Sequence, residues 1–165
     1  MADVTDTYYA GEAINGYGAQ LLVGQGGASP EDYAAIADVN EITFGEMTTN
    51  IIDITHLRSP DAHTEKMAGM RSSGEFGITG NWRPAHGSQS NAGGDGFTNG
   101  GLAALWRTRT EANFKLVLND GSSPGLEIPF RGVVSRWQPG TVGVDAKVDF
   151  SAGITPLRDF SADLP

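Results

Sequence analysis

The feature that most constrains the fold is a long polar segment between stretches that have the pattern of β-strands. Residues 41–44 and 51–57 are rich in β-branched and aromatic residues, and residues 74–82 alternate between apolar and other residues. The intervening residues 58–73 are polar apart from Ala62, Met67, Ala68 and Met70. A polar segment of this length between two strands is uncommon in a compact domain and is usually functional or disordered. The function of this arm is therefore the main question that the sequence raises.

The composition bounds the class of protein. A chain of 165 residues can form one domain with a real core, and two packed domains are not expected. Cysteine is absent, so neither disulfides nor thiolate metal sites are available. The 23 glycines imply many turns or close backbone approaches, as in all-β folds.

The charge and hydropathy exclude several partners. The formal net charge is −9, so the chain should repel the phosphates of nucleic acids rather than bind them. No apolar run approaches the roughly 20 residues that are needed to span a bilayer. Residues 1–16 lack the basic and apolar regions of a secretory signal, and we expect the chain to be made and folded in a cytoplasm.

Short apolar runs predict further strands at residues 18–24 and 114–118, the latter followed by a turn at Asn119-Asp120-Gly121. A final strand pair is predicted at residues 127–136 and 142–150, around a turn at Gln138-Pro139-Gly140. The fold class that follows is all-β with one flanking α-helix: an antiparallel β-sandwich or barrel with a long arm between two strands.

One helix is predicted at residues 102–110, where four residues with helical spacing form a stripe that faces a core. These residues are Leu102, Leu105, Trp106 and Arg109. Thr98 or Asn99 can cap this helix, and the Gly-rich residues 83–101 are predicted to form a flexible loop that leads into it.

Residues 33–39 are ambiguous. Ser29-Pro30-Glu31-Asp32 is a favourable helix start, with a capping serine, a proline at the first helical position and acids near the helix dipole. The residues that follow show no clear apolar stripe, and local signals favour a helix only slightly.

Residues that could carry chemistry are scattered. His56 and His63 flank the Pro60 turn and could meet there with Asp61 as a third ligand, but solvated loop histidines explain them better. The run GGDGFTNGG lacks both the glycine spacing and the lysine of a nucleotide site. No serine lies in a nucleophile elbow, and no carboxylate pair can be nominated. We therefore predict no catalytic residue, no metal and no cofactor, and a hydrolase is disfavoured.

Charged residues of both signs are interleaved along the arm. These are Arg58, Asp61, Glu65, Lys66 and Arg71. Such a pattern is compatible with a solvated loop, or with a mixed-charge surface that docks on an acidic neighbour.

From the arm onward the sequence resembles a known family. Ile52-Asp53-Ile54-Thr55-His56-Leu57 is followed by Ser59-Pro60, by the spaced residues Glu65, Met67, Gly69, Met70, Gly74 and Glu75, and by Trp82-Arg83-Pro84. Further parts of the same pattern are the preceding Ile36-Ala37-Asp38-Val39-Asn40-Glu41-Ile42 and the later runs FKLVLNDG and IPFRGVVSRW. This order of motifs resembles that of the major tail tube proteins of long-tailed bacteriophages and of phage-like gene transfer agents. The likeness covers residues 15–152.

The resemblance implies a fold and an assembly. It implies a β-sandwich with a flanking helix that assembles into hexameric rings, in which strands from six subunits close one barrel and the rings stack into a hollow tube. It also implies that residues 33–39 form a strand rather than a helix. The arm would cross to neighbouring subunits, with contacts from Arg58, Pro60, Asp61, Glu65, Lys66, Met67, Met70 and Arg71.

The resemblance also implies partners and a location. Besides other copies of itself, the chain would meet a tape measure protein, a tail terminator and baseplate or distal tail proteins, in a virion tail assembled in the host cytoplasm and without a membrane. An acidic lumen would let DNA pass without sticking. Candidate lumen residues are Glu41, Thr43, Glu75, Thr79 and Asn81. The expected organisation is one tail tube domain over residues 1–165, with an N-terminal segment 1–15, the arm 58–73 and a C-terminal tail 153–165.

The alternative is an acidic β-sandwich that binds a carbohydrate or a surface partner. Trp82, Trp106 and Trp137 could stack on sugar rings. Against this, Trp106 lies on the predicted core stripe of the helix. Trp82 and Trp137 lie at strand ends, where tryptophans are more often packed than exposed.

Overall fold

The computed structural model describes residues 15–26, 30–119 and 125–158. Within these residues the chain forms nine β-strands, one α-helix and one short 3-10 turn. The strands are β1 (Asn15–Gly24), β2 (Tyr33–Ala35), β3 (Val39–Thr43), β4 (Met47–Asp53), β5 (Lys66–Ser73), β6 (Phe76–Asn81), β7 (Glu111–Asn119), β8 (Leu126–Pro139) and β9 (Asp149–Pro156). The helix α1 is Leu102–Thr108, and the 3-10 turn is Pro60–Ala62. None of the helices among these residues is long and apolar enough to cross a membrane.

Seven strands form one antiparallel sheet in the order β2-β1-β7-β8-β9-β6-β3. Its two edge strands, β2 and β3, are joined by only three residues. In this link the Ile36 amide donates to the Leu21 carbonyl of β1 at 2.9 Å, and the Asp38 carbonyl accepts from the Asn81 amide of β6 at 3.0 Å. Because so short a link connects the two edges, the sheet must curl round on itself. The predicted antiparallel sandwich or barrel with a flanking helix is therefore confirmed.

The core fills the inside of this curled sheet. Phe76, Phe130 and Phe114 form a stack with ring centroids 4.5 Å and 5.5 Å apart, and helix α1 adds Leu102 and Leu105. The predicted alternation in β6 is confirmed, since Phe76 and Ile78 are buried and Thr79 is exposed. Each inward side chain of this kind is worth roughly 1.5–3 kcal/mol of burial, which is what holds the curled sheet together.

The helix differs from its prediction. It ends at Thr108 because Arg109 adopts a left-handed conformation with φ 55°. Leu102 to Leu105 are buried, whereas Trp106 is 48% exposed, so the predicted stripe that included Trp106 and Arg109 was wrong. The N-cap is Gly101. The two residues that were predicted to cap the helix, Thr98 and Asn99, instead donate to Gln25.

The Gly-rich segment before the helix is a loop, as predicted, and part of it is packed against the curled sheet. Ser88 and Gln89 are buried polar residues. The Gln89 side chain donates to the carbonyls of Ala37 and Asn81 at 3.0 and 3.1 Å, and accepts from the Arg83 amide at 2.7 Å. The segment thus fastens the link between the two edge strands.

Residues 33–39 contain no helix, which bears out the strand implied by the resemblance. Two strands are present in place of one, because the chain turns at residues 36–38 to pass from β2 to β3. Ser29 of the supposed helix start lies outside the described residues.

The last hairpin was predicted with the wrong turn. β8 continues to Pro139, residues 140–148 form a loop, and β9 begins at Asp149. Val142 and Val144 are exposed in this loop and do not belong to a strand. The predicted C-terminal tail was placed too early, since β9 continues to Pro156. Parts of three predicted features lie outside the described part of the chain: residues 159–165 of the C-terminal tail, most of the N-terminal segment 1–15, and Asp120-Gly121 of the predicted turn.

Candidate assembly interface

A two-stranded hairpin stands apart from the curled sheet. Among the strands of the described chain, β4 and β5 pair only with each other, from Met47 opposite Ser73 to Asp53 opposite Lys66, with a bulge between Thr49 and Ile51. Every residue of β4 is exposed. We call residues 47–73 the arm hairpin and residues 54–65 its tip. The predicted arm, residues 58–73, is thus the tip and return strand of a larger element.

Two glycines form the neck of the arm hairpin. Gly45 and Gly74 lie back to back where the chain leaves and re-enters the curled sheet, and a Cβ at Gly45 would collide with the backbone of Gly74. The Gly74 amide donates to the Glu46 carbonyl at 2.9 Å. Just inside the neck, Phe44 contacts Phe76 with centroids 5.3 Å apart. The arm hairpin is therefore tied to the core at its root.

Large apolar side chains lie on both faces of the arm hairpin. From the register, Met47 and Ile51 share one face and Ile52 and Met67 share the other. The exposed apolar residues of the arm hairpin are Met47, Ile51, Ile52, Ile54, Leu57, Met67 and Met70. The prediction of a strand over residues 51–57 was correct only to Asp53, and its isoleucines do not reach the core. Two exposed apolar faces are typical of an interaction element, because monomeric proteins rarely expose contiguous apolar patches.

The tip is braced by its own polar side chains. Ser59 donates to the Glu65 carboxylate at 2.6 Å and accepts from the His56 amide at 3.0 Å. The His56 Nε2 atom lies 3.5 Å from the Glu65 carboxylate. The amide of Glu65 donates to the Thr55 hydroxyl at 2.9 Å. These contacts fix the turn at residues 57–58, where Leu57 is fully exposed.

The carboxylate of Asp53 closes the base of the tip. It accepts from Thr55, whose backbone amide lies 2.8 Å away. Hydrogen bonds from the side chain and backbone of Thr55 lower the pKa of Asp53, because they favour its charged form.

The predicted contact residues of the arm all lie on the arm hairpin. Pro60 and Asp61 form the 3-10 turn at the tip, with Asp61 at φ 54°. Lys66, Met67, Met70 and Arg71 lie on β5. Arg58 is exposed beside Leu57 and has no ion pair among the residues that the structure describes. The metal hypothesis for His56, His63 and Asp61 gains no support, since His56 faces Glu65 and no group of three metal-ligating side chains occurs in the described chain.

The predicted lumen residues lie on one outward surface. Glu41 and Thr43 of β3 stand beside β6, with Glu41 directly opposite Thr79. Thr79 is opposite Ser151 of β9, and Asn81 at the end of β6 accepts from Lys147 at 2.8 Å. We call this surface, over β3, β6 and β9, the outer face.

Glu75 differs from Glu41, the other carboxylate among these residues, because it has an ion-pair partner. It reaches across Gly153 to β8, where it accepts from the Ser135 hydroxyl at 2.6 Å and from the Arg136 guanidinium at 3.2 Å. Its charge is therefore largely compensated, which the sequence could not show because the partners are 60 residues away. Glu41 accepts from the Thr43 hydroxyl at 3.4 Å but has no cation partner in the described chain, so its charge is not compensated.

The tryptophans do not form a common binding platform. Trp82 and Trp137 are half-buried against the core, as predicted. The ring centroids of Trp137 and Phe150 are 5.3 Å apart. Trp106 is the exposed one, and it lies on the helix. The carbohydrate-binding alternative is therefore not favoured.

Solved structures with the same fold come from phage-like tails. A chain of the tail of an empty gene transfer agent particle with C6 symmetry superposes with a TM-score of 0.61 at 13% identity, over 89% of this chain and 96% of that chain. The SPP1 tail tube gives 0.60 at 9% identity, over 88% and 77% of the two chains. A chain of the anti-feeding prophage baseplate gives 0.54 at 10% identity, over 85% and 87%. These similarities establish the fold.

The family follows from the sequence itself. A search of curated proteins found no match. The family model described as lambda phage tail tube protein matches residues 21–104, from β1 through the arm hairpin to helix α1. This match covers just over half of the chain, and the chain therefore belongs to the lambda phage tail tube protein family.

Proposed function

We propose that copies of this chain assemble into hexameric rings, and that the rings stack into a hollow tail tube through which phage DNA passes. A tail tube protein is a structural component of the virion. The observation that carries the proposal is the arm hairpin, which is exposed on both faces and apolar on both faces.

An isolated two-stranded hairpin is at best marginally stable in water. This one has seven exposed large apolar side chains, and burial of each half-exposed side chain would contribute on the order of 1 kcal/mol. A hairpin that packed on one neighbour would need only one apolar face. Two apolar faces fit an element inserted between two other subunits, as in a closed ring whose members also contact the next ring.

Unpaired strand edges support the same assembly. The outer edge of β4 is unpaired in the described chain, as are the free edges of β2 and β3. Exposed edges are templates for pairing with another chain, and closure of a barrel between subunits removes them. The C6 symmetry of the similar gene transfer agent tail supports six as the number of subunits.

We assign the outer face to the lumen. It is polar, and its free carboxylate at Glu41 would repel DNA phosphates. Glu41→Lys should leave tubes intact and slow DNA ejection from particles, because a cation there attracts phosphate. Ejection at the wild-type rate would contradict the assignment of Glu41 to the lumen.

The partners follow from the ends of such a tube. One end would meet a baseplate or distal tail protein, the other a tail terminator, and the lumen would hold a tape measure protein during assembly in the host cytoplasm. The similarity to a chain of the anti-feeding prophage baseplate supports the first of these contacts. The proposed assignment requires no catalytic residue and no cofactor from this chain.

The test is negative-stain electron microscopy of a variant with charges on the arm hairpin. Ile54→Asp combined with Leu57→Asp places two carboxylates on exposed positions, so the free subunit should fold as before. We expect the wild type to form hollow tubes and the variant to remain monomeric. Trp106→Asp is the matched control, since Trp106 is a comparably exposed apolar residue away from the arm hairpin. Tubes formed by the double variant would contradict the assembly role of the arm hairpin.

A further inference from the structure

The arm hairpin and the β8–β9 loop lie at opposite ends of the curled sheet. β6 begins at Phe76, next to the neck of the arm hairpin, and there it pairs with Ile154 of β9. β6 ends at Asn81, which pairs with Asp149, where the loop of residues 140–148 begins and ends. The two features are therefore separated by the whole length of β6, about 20 Å.

The β8–β9 loop is an ordered apolar tip. Gly143 and Ala146 form an isolated bridge around Val144 and Asp145, and the Val148 carbonyl accepts from the Trp82 amide at 2.9 Å. Lys147 is held by Asn81 at 2.8 Å and by Asp149 at 3.0 Å. Val142 and Val144 remain exposed, and Val144 fully so. A braced loop that presents two valines to solvent is suited to contact another protein surface.

The arm tip and the β8–β9 loop are chemically matched. Each is a tight turn that presents a fully exposed apolar residue followed by a charged one: Leu57-Arg58 on the tip and Val144-Asp145 on the loop. The two charges have opposite signs. Neither Arg58 nor Asp145 has an ion-pair partner within the described residues, whereas the neighbouring pairs His56–Glu65 and Lys147–Asp149 are formed within the subunit.

We infer that the arm tip of one copy, at Leu57-Arg58, docks on the β8–β9 loop of a second copy in the adjacent ring, at Val144-Asp145. Leu57 contacts Val144 while Arg58 pairs with Asp145. The inference rests on the proposed tube assembly and names the surface that receives the arm. Because donor and receiver lie at opposite ends of one subunit, the contact is heterologous and propagates without closing, which is the geometry of a filament.

Charge reversal tests the pairing. Arg58→Asp and Asp145→Arg each place like charges together, and each should raise the critical concentration for polymerisation at least about tenfold. The double reversal restores opposite charges and should return that concentration to within about threefold of the wild type. Arg107→Asp and Asp32→Arg are charge-matched controls on exposed residues elsewhere, and should leave polymerisation unchanged.

Cysteine cross-linking tests the position independently of charge. The chain has no cysteine, so Leu57→Cys with Val144→Cys introduces the sole thiols. Oxidation of assembled tubes should then give a ladder of covalent multimers beyond the dimer, whereas either single cysteine variant can give at most a dimer. A ladder from the double variant, with no dimer from either single variant, is expected only if residue 57 of one copy meets residue 144 of another.

The outcomes separate the two proposals. Wild-type protein that forms no tubes would contradict the proposed function. Wild-type tubes with no effect of either reversal and no ladder would overturn the docking inference and leave the proposed function standing. Single reversals that weaken polymerisation without rescue in the double variant would also overturn the Arg58–Asp145 pairing.

Discussion

The curled sheet and the arm hairpin are both built from alternating strands, but they use their apolar residues differently. In β6 the apolar side chains Phe76 and Ile78 are almost completely buried within one subunit. In β4 the apolar side chains Ile51 and Ile52 remain exposed. The first region buries its apolar residues within one chain, and we propose that the second buries them against other chains. A strand pattern in the sequence therefore predicts a strand, but it does not specify where the apolar side chains of that strand will be buried.

The largest expected effect contrasts a core residue with an arm residue. Phe114→Ala removes a fully buried ring from one end of the phenylalanine stack and should lower the free energy of unfolding by about 3–5 kcal/mol. Ile51→Ala should change it by less than about 0.5 kcal/mol, because Ile51 is exposed in the subunit. Urea unfolding of the monomer measures both. Equal losses would mean that the arm hairpin belongs to the core of the subunit.

An intermediate effect is expected at the neck, where the two regions meet. Gly45→Ala forces Gly74 and its neighbours apart, and should destabilise the subunit by about 1–3 kcal/mol while reducing tube formation. Gly16→Ala is the matched control, since a Cβ there meets no atom within 4 Å. If thermal melts show the two variants to be equally stable, the close approach of Gly45 and Gly74 does not require glycine at the neck.

The smallest effect concerns the tip. The pKa of Asp53 is lowered by hydrogen bonds from Thr55, so the charged form is favoured in the folded tip. This contribution is present above the unfolded-state pKa and is lost as the pH falls through the lowered folded-state pKa. We expect NMR titration to find Asp53 below the ordinary range of an aspartate, and Thr55→Ala to move its pKa upward. An Asp53 pKa that is the same in both proteins would show that Thr55 does not hold the carboxylate.

Much of the curled sheet was predictable because local patterns reflect local burial. The alternation in residues 74–82 and the apolar runs near β1 and β7 specified strands that the structure confirms. The β8–β9 loop was missed because Val142 and Val144 continue the apolar alternation of a strand, while their exposure depends on where β9 pairs. Trp106 was assigned to the core because helical spacing cannot tell the edge of a stripe from its centre.

The candidate interface was only partly predictable for the same reason. The polar residues 58–65 indicated an arm. The start of the arm was not predicted, because Ile51 and Ile54 have the apolar pattern of a core strand. The support that Glu75 receives from Ser135 and Arg136 depends on contacts between strands far apart in sequence. No spacing rule along the chain predicts such contacts.

Hydrogen exchange of the free subunit and of assembled tubes tests the central claim most directly. We predict that backbone amides of the arm hairpin, residues 47–73, exchange at least about tenfold more slowly in tubes than in the subunit, because neighbouring copies cover its faces and edges. Core amides in β6 and β7 should be protected in both states. Arm-hairpin amides that exchange equally fast in tubes and in the free subunit would contradict the account, since the arm hairpin would then remain uncovered after assembly.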